Sequence, residues 1–152
     1  MRGKNIGEAG ASGAEAKGRR VVSISKSDEA DKPLYERIGE EPFRRIVHAF
    51  YQGVAEDPEL RALYPEEDLG PAEERLVLFL IQYWGGPKTY SETRGHPRLR
   101  MRHAGFHIDL AARDRWLRHM RTAVDEAGLS EVDRQELWAY LENAANFMVN
   151  AV

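Results

Sequence analysis

Residues 70–83 read GPAEERLVLFLIQY, and the interpretation of this stretch decides the fold class of the chain. The apolar run from Leu76 to Ile81 has the length and composition of a buried β-strand. Two features favour a helix instead. Gly70-Pro71 suits a helix start, with two glutamates in the first turn near the positive end of the helix dipole. Apolar residues then continue at helical spacing to Tyr83, beyond the length of a strand.

The rest of the chain beyond about Leu34 also has helical periodicity. Further helices are predicted from Pro42 through Val54, from Pro58 to Leu63, from Leu110 to Ala127, and from Ser130 onward. The segment from Trp84 to Pro97 carries several glycines and prolines and predicts a long irregular loop. No segment alternates polar and apolar residues in the manner of a half-buried strand. The sequence therefore predicts an all-α fold.

Composition excludes several classes of protein. The 152 residues, 42% of them hydrophobic, are enough for one domain with a core. The net charge of -3 argues against partners such as nucleic acid or an acidic membrane. The absence of cysteine excludes disulfides, iron–sulfur clusters and covalent attachment of haem through thiols, and it fits a cytoplasmic location. No apolar run has the roughly 20 residues of a membrane span, and the N-terminus lacks a signal-peptide pattern.

Residues 1–31 are rich in glycine, alanine, serine and charge, with few apolar positions. Such a segment buries too little surface to offset the entropy of ordering it, so we expect a flexible N-terminal tail. A disordered extension is favoured over a regulatory or partner-binding arm. The folded domain is predicted over residues 32–152.

A basic segment, RLRMRHAGF over residues 98–106, offers His103 between apolar side chains with arginines beside it. This pattern suits an iron held in a flat, acid-bearing macrocycle, with the imidazole as axial ligand and guanidinium groups meeting the carboxylates. A zinc site with His107 is the alternative, since the two histidines are four residues apart. No neighbouring third ligand supports zinc, and Gly105 weakens a helix between them.

Three polar aromatic residues accompany this segment: Tyr51 on the predicted 42–54 helix, Tyr64 before a proline, and Trp116 on the predicted 110–127 helix. Each on its own is typical of a core aromatic residue with a satisfied polar group. Three inward-facing donors in an aliphatic core each need a partner, and a partly negative diatomic ligand on iron would supply one.

From Tyr35 onward the chain resembles a truncated haemoglobin, the two-over-two globin, of the second group. The matching motifs are FY at 50–51, LYPEEDL at 63–69, QYWGGP at 82–87 and GHPRLRMRHA at 95–104. Trp116 follows at the spacing of the family. The resemblance covers about four-fifths of the chain.

This resemblance implies a globin-like two-over-two helical sandwich around haem b (iron protoporphyrin IX), held without covalent bonds. His103 matches the proximal ligand, Tyr51 the distal tyrosine, and Trp116 the tryptophan that marks the group. Tyr64 occurs at its position in one branch of the group, and Ala72 stands where other globins carry a gating histidine or glutamine. The resemblance also implies two further groups of cofactor-binding residues. The apolar walls would be Leu76, Phe79, Phe106 and Ile108. The propionates would be bound by Arg75 and Arg102, with Tyr90 and His107 as helpers.

The function implied is binding of O2, and of CO, NO and sulfide, at a five-coordinate haem. Several hydrogen-bond donors around the ligand predict slow O2 release, which suits sensing, scavenging or redox chemistry better than oxygen delivery. The alternative is a redox enzyme, an NO dioxygenase or a peroxidase-like oxidase. It would need an external reductase, because the chain carries no dinucleotide or flavin motif. A haem-free interaction module, and a monomer or a homodimer, also remain open.

Overall fold

The computed structural model describes residues 31–152, so residues 1–30 of the predicted tail lie outside the described residues. Eight helices follow one another in the described part: α1 (Leu34–Ile38), α2 (Glu40–Ala55), α3 (Pro58–Arg61), α4 (Gly70–Tyr83), α5 (Thr89–Arg94), α6 (Leu99–Arg102), α7 (Leu110–Asp125) and α8 (Glu131–Met148). Residues 31–152 contain no strand, which confirms the all-α prediction. Within the same residues, no helix combines the length and apolar character that crossing a membrane requires.

Side-chain caps begin three of these helices where the sequence places capping residues. Asp57 caps α3, Asp109 caps α7 and Ser130 caps α8, and each side-chain oxygen accepts from the backbone N–H three residues later. These bonds satisfy donors that the first helical turn leaves without intrahelical partners. Local chemistry therefore sets these starts.

The core lies where α2 meets its neighbours. The buried face of α2 consists of Phe43, Ile46, Val47, Phe50, Tyr51 and Val54, at helical spacing. Helix α2 packs against both α4 and α7, and α7 packs against α8, so the long helices form two pairs, α2 with α4 and α7 with α8. The apolar run of residues 76–81 is helical and fills this core, as its continuation to Tyr83 predicts.

The expectation of an irregular loop from Trp84 to Pro97 is wrong in one part, because α5 occupies its second half. The side chain of Gln82, on α4, holds the start of α5. Its Nε2 donates to Ser91 Oγ over 2.7 Å, and its Oε1 accepts from Ser91 N–H over 2.9 Å. Tyr90 is buried at 4% exposure. A helix of six residues is too short to show periodicity, and its cap comes from another helix, so the local sequence gave no signal for it.

The chain turns sharply after α4 at Gly85-Gly86. The N–H of Gly86 donates to the carbonyl of Ile81 over 2.8 Å, which ends the helix. A Cβ at Gly86 would lie 2.6 Å from Ile81 Cγ2 and 2.9 Å from the Ile81 carbonyl oxygen. Only glycine allows the backbone to approach this closely. The Trp84 carbonyl accepts from Tyr35 N–H over 3.0 Å, which ties α1 to the same turn.

A buried carboxylate joins α3 to α7. Asp57, 6% exposed, accepts from His119 Nε2 over 2.9 Å and from Arg115 over 3.1 Å. The hydrogen bond from His119 and the neighbouring Arg115 hold the pKa of Asp57 below its usual value. Gly53 makes room for the imidazole, since a Cβ there would lie 2.5 Å from His119 Nδ1. The sequence analysis did not identify this contact, because Asp57 and His119 are 62 positions apart.

Candidate functional site

A cavity of about 500 Å³ opens between the long helices and the α6 segment. Its lining contains twelve of the thirteen residues that the sequence analysis assigned to the site: Tyr51, Tyr64, Ala72, Arg75, Leu76, Phe79, Tyr90, Arg102, His103, Phe106, Ile108 and Trp116. Residues 52 positions apart in sequence, such as Tyr51 and His103, thus face one space. The volume is within the range of roughly 300–1,000 Å³ that is typical of small-molecule and cofactor sites.

His103 lies at the C-terminal end of α6 and has one nitrogen already engaged. Its Nδ1 lies 2.6 Å from the carbonyl oxygen of Leu99, one turn earlier. A carbonyl can only accept, so Nδ1 carries a proton, and in the neutral imidazole the lone pair is then on Nε2. A backbone partner of this kind fixes the tautomer and orientation of a metal-ligating histidine. The imidazole is therefore prepared to bind a metal through Nε2.

Tyr51, Tyr64 and Trp116 form a cluster of polar aromatic groups in the same cavity. The rings of Tyr51 and Tyr64 meet edge to face with centroids 5.6 Å apart. The ring of Phe50 packs against Tyr51 and Trp116, with centroid distances of 5.0 Å and 5.1 Å. Such contacts hold large rings in defined positions. We call these three residues the donor triad.

The polar groups of Tyr51 and Trp116 lie close enough to the Tyr64 hydroxyl to affect its pKa. Burial raises the pKa of Tyr64, whereas hydrogen bonds from Tyr51 and Trp116 lower it. Burial also raises the pKa of Tyr51, and its hydrogen bond to Tyr64 adds to this effect. An indole N–H can only donate, whereas each phenol hydroxyl can donate or accept. Each of the three residues therefore carries a proton that it can offer to a ligand in the cavity.

Helix α4 provides an apolar wall with a small residue near its start. Ala72 is 4% exposed and lies in the first turn of α4, and Leu76 and Phe79 follow on the same side. An alanine at this place has no group that could donate to a ligand or exchange a proton. It also occupies little of the cavity.

Arginines surround part of the cavity, and most of them already have partners. Arg75 pairs with Glu66, and this contact holds the pKa of Glu66 below its usual value. Arg102 donates through Nε to the Pro97 carbonyl over 2.6 Å and through Nη2 to the carbonyls of Arg94, at the end of α5, and of His96. Its Nη1 makes no bond to the described residues, so it can meet an acid group. Arg102 therefore holds the backbone before α6 and still has the two N–H groups of Nη1 for an acid group.

His107 lies apart from this group, although the sequence analysis named it as a helper. It is not among the residues that line the cavity, and its side chain is 71% exposed beside Asp109. The described residues contain no group of three His, Cys, Asp or Glu side chains that could hold a metal ion. The structure thus adds no third ligand to the His103 and His107 pair.

Several lining residues were missed by the sequence analysis: Leu99, Arg94, Arg113, Tyr140 and Met148. The guanidinium of Arg94 lies 5.9 Å from the centroid of the Tyr90 ring, the same distance as that of Arg102. Tyr140 and Met148 flank the apolar face of α8, and this position was the available signal for them. Arg94 had none, because α5 itself was not predicted.

The chemistry of the cavity fits an iron porphyrin. Apolar walls surround a single nitrogen ligand that has a fixed tautomer, and arginines with free N–H groups border the same space. A flat macrocycle with two carboxylates needs these three features together. A bare metal ion would need several ligands, which the described residues do not bring together.

Fold and site together define a haem-binding globin of reduced size. The chain matches the family model described as bacterial-like globin over residues 33–150. It belongs to this family, and within it to the group 2 truncated, two-on-two haemoglobins. The expectation of a two-over-two helical sandwich is confirmed.

Three comparisons support this placement. A thermostable haemoglobin from the actinobacterium Thermobifida fusca is 63% identical, with a TM-score of 0.76 over 78% of this chain and 97% of that one. Group 2 truncated hemoglobin YjbI of Bacillus subtilis is 43% identical over 116 residues, 76% of this chain and 87% of the relative. A solved structure described as truncated oxygen-avid haemoglobin from Bacillus subtilis is 42% identical, with a TM-score of 0.74 over 78% of this chain and 100% of that one. Family membership supports haem binding and diatomic gases as ligands.

Proposed function

We propose that this chain binds haem b through His103 and holds O2 strongly, with CO, NO and sulfide as further ligands. The single observation that carries this proposal is the arrangement of one cavity. A histidine with only Nε2 free lines the same 500 Å³ space as three hydrogen-bond donors. When bound, the haem supplies an iron with an open position for a small ligand. The protein residues then decide how long that ligand stays.

The other lining residues divide into two groups in this proposal. The apolar side chains Leu76, Phe79, Phe106 and Ile108 exclude water from the macrocycle. Arg75 and Arg102 bind the propionates, Arg102 through its free Nη1 and Arg75 by sharing its charge with Glu66, and Tyr90 assists them. This division places the acid groups beside the arginines and the ring among apolar atoms.

Slow release of O2 follows from the donor triad. Dioxygen on ferrous iron carries partial negative charge, and hydrogen bonds to charged groups stabilise by roughly 1.5–3 kcal/mol each. Since about 1.4 kcal/mol corresponds to a factor of ten, one or two such bonds slow dissociation by orders of magnitude. The relative from Bacillus subtilis described as oxygen-avid supports the same expectation. Slow release suits scavenging, sensing or chemistry on a retained ligand.

Absorption spectra of the purified protein in its oxidised, reduced and CO-bound forms test this proposal. We expect a Soret band that shifts on reduction and again on CO binding. His103→Gly should lose the pigment, and added imidazole should restore it, because the free ligand replaces the missing side chain. A His103→Gly protein that keeps its colour and its iron–histidine stretching band would contradict the assignment. His96→Gly, in an exposed turn, is the matched control.

A redox enzyme is the second candidate, and one observation favours it. Tyr140 lines the cavity and stacks on Tyr83 with ring centroids 4.0 Å apart, and Tyr83 is 51% exposed. Oxidisable rings therefore connect the cavity to the surface, where an external reductase or a reducing substrate can meet them. Steady-state consumption of NO or peroxide, with a reductase supplied, tests this candidate. A rate no higher than that of free haem would exclude it.

A further inference from the structure

The segment that carries His103 has little regular structure of its own. Helix α6 ends at Arg102 and α7 begins at Leu110, and residues 104–107 between them are exposed. A Cβ at Gly105 would meet nothing within 4 Å, so this part of the segment lies open. Local hydrogen bonds are limited to turns, such as Phe106 N–H to the His103 carbonyl over 3.0 Å. Contacts from elsewhere in the fold must therefore fix the segment.

Asn150, which follows α8, supplies these contacts through its carboxamide. Its Nδ2 donates to the carbonyl oxygens of His103 over 3.2 Å and of Phe106 over 2.9 Å. Its Oδ1 accepts from Ile108 N–H over 2.9 Å. Its backbone N–H donates to the Ile108 carbonyl, also over 2.9 Å. One residue thus joins three positions of the segment to the end of α8.

The three side-chain bonds require a carboxamide in one orientation. The reversed amide would place Oδ1 against two carbonyl oxygens and Nδ2 against an N–H, which leaves all three groups unsatisfied. Aspartate would keep the acceptor for Ile108 and lose both donors. Alanine would lose the acceptor as well. No other residue type of this length provides two donors and one acceptor.

We infer that Asn150 is a positioning residue for the haem ligand His103, an inference that rests on the proposed function. Residue His103 is held at two points, one on its side chain and one on its backbone. Its Nδ1 bonds to the Leu99 carbonyl, and its own backbone carbonyl bonds to Asn150. The same carboxamide holds Phe106 and Ile108, which line the cavity on either side of the exposed turn. Loss of the carboxamide frees the backbone of the ligand and two walls of the cavity together.

Haem loss from the full chain is the first test. The haem-loaded wild type, Asn150→Ala and Asn150→Asp are mixed with an excess of a haem-free acceptor globin, and transfer is followed by absorption. We expect transfer about tenfold faster from both variants, because each lacks the two bonds to the carbonyls of His103 and Phe106. Asn143→Ala, an exposed asparagine substitution within α8, is the matched control and should leave the rate unchanged.

The iron–histidine stretching band distinguishes positioning from a general loss of stability. We expect the band to shift or broaden in both Asn150 variants, because the imidazole is no longer held at one angle. In a His103→Gly background with free imidazole as ligand, Asn150→Ala should not alter the band further. There the ligand has no link to the backbone that Asn150 holds. A general loosening of the fold would alter the band equally in both backgrounds.

Hydrogen exchange of the haem-free protein gives a readout that needs no haem. The amide of Ile108 should exchange faster in Asn150→Ala than in the wild type, because it loses its acceptor. Unchanged haem loss and an unchanged band in both variants would overturn the inference while the wild type still binds haem. A wild type without a Soret band would overturn the proposed function, and the role of Asn150 with it.

Discussion

At the scale of single residues, the Tyr64 oxygen is the centre of the donor triad. The polar groups of Tyr51 and Trp116 both affect the pKa of Tyr64, so they lie beside its hydroxyl. A neighbouring donor polarises a hydroxyl and makes it a better donor itself. We therefore expect Tyr64 to contribute most to hydrogen bonding with a bound ligand, with Tyr51 and Trp116 in support.

The first prediction compares three substitutions of the donor triad. Tyr64→Phe should raise the O2 dissociation rate by about tenfold to a hundredfold, because it removes a hydrogen bond to a charged ligand. Trp116→Phe and Tyr51→Phe should raise the rate clearly but by less than Tyr64→Phe. Stopped-flow displacement of O2 by CO measures all three rates.

Tyr140→Phe is the control for these substitutions. It deletes the hydroxyl of a tyrosine that lines the same cavity but lies outside the donor triad, and it should leave the rate unchanged. Dissociation from Tyr64→Phe at the rate of the wild type would contradict the assigned role. An unchanged rate in Trp116→Phe would show that the indole does not contribute.

At the scale of elements, the Asp57 contact ties α3 to α7 and so positions the loop that carries Tyr64. Asp57 caps α3 and also binds His119 and Arg115 on α7. Arg61, the last residue of α3, donates to the carbonyls of Tyr64 and of two later loop residues. The position of Tyr64 in the donor triad therefore depends on the position of α3.

The second prediction concerns Asp57→Asn and its pH dependence. The pKa of Asp57 is lowered in the folded protein, so its stabilising effect is complete above the unfolded value of about 3.9. The effect is lost as the pH falls through the lower folded value. Asp57→Asn should therefore be less stable than the wild type at neutral pH, and the difference should shrink below about pH 4.

Chemical denaturation across pH measures this difference. Glu59→Gln is the matched control, because Glu59 also pairs with Arg115 but its side chain is 67% exposed. An exposed ion pair contributes little, so this variant should stay near the wild type. Equal losses in the two variants would show that burial of Asp57 has no particular importance.

The third prediction concerns the turn after α4. Gly86→Ala should destabilise the fold by about 1–3 kcal/mol, because its Cβ would meet the Ile81 side chain and carbonyl at less than 3 Å. Gly105→Ala is the control, since a Cβ there meets nothing within 4 Å. Thermal unfolding of the two haem-free variants should separate them. Similar unfolding midpoints would mean that the turn after α4 accommodates a Cβ at residue 86 without loss of stability.

At the scale of the whole molecule, the cavity occupies space that would otherwise belong to the core. Its lining comes from α2 to α8 and from the loops at Tyr64 and Ile108. Side chains from elements far apart in sequence border this space, and each lacks packing partners on that side unless a ligand fills it. A ligand that fills the cavity therefore connects both helix pairs.

The fourth prediction concerns removal of the haem. A ligand that binds only the folded state stabilises it by mass action, so haem should raise the midpoint of thermal unfolding by about 10 °C or more. Iron-free protoporphyrin is the control, because it fills the cavity without a bond to His103. It should give a smaller increase. Equal increases would show that the iron–histidine bond adds no stability.

The sequence by itself predicted the long helices and most of the residues that meet at the cavity. Helical spacing in α2 and caps such as Asp57, Asp109 and Ser130 act within a few residues, so they are legible in a single chain. Twelve of the thirteen assigned site residues line the cavity, and His107 is the exception. Their roles toward haem and gas remain predictions.

Only the tertiary structure decided how these parts hold one another. Helix α5 depends on Gln82, the Asp57 contact on a gap left by Gly53, and the His103 segment on Asn150. Each of these contacts joins residues on different elements through one side chain. Such contacts leave no periodic trace in the sequence, since their energy depends on distances that exist only after the chain has folded.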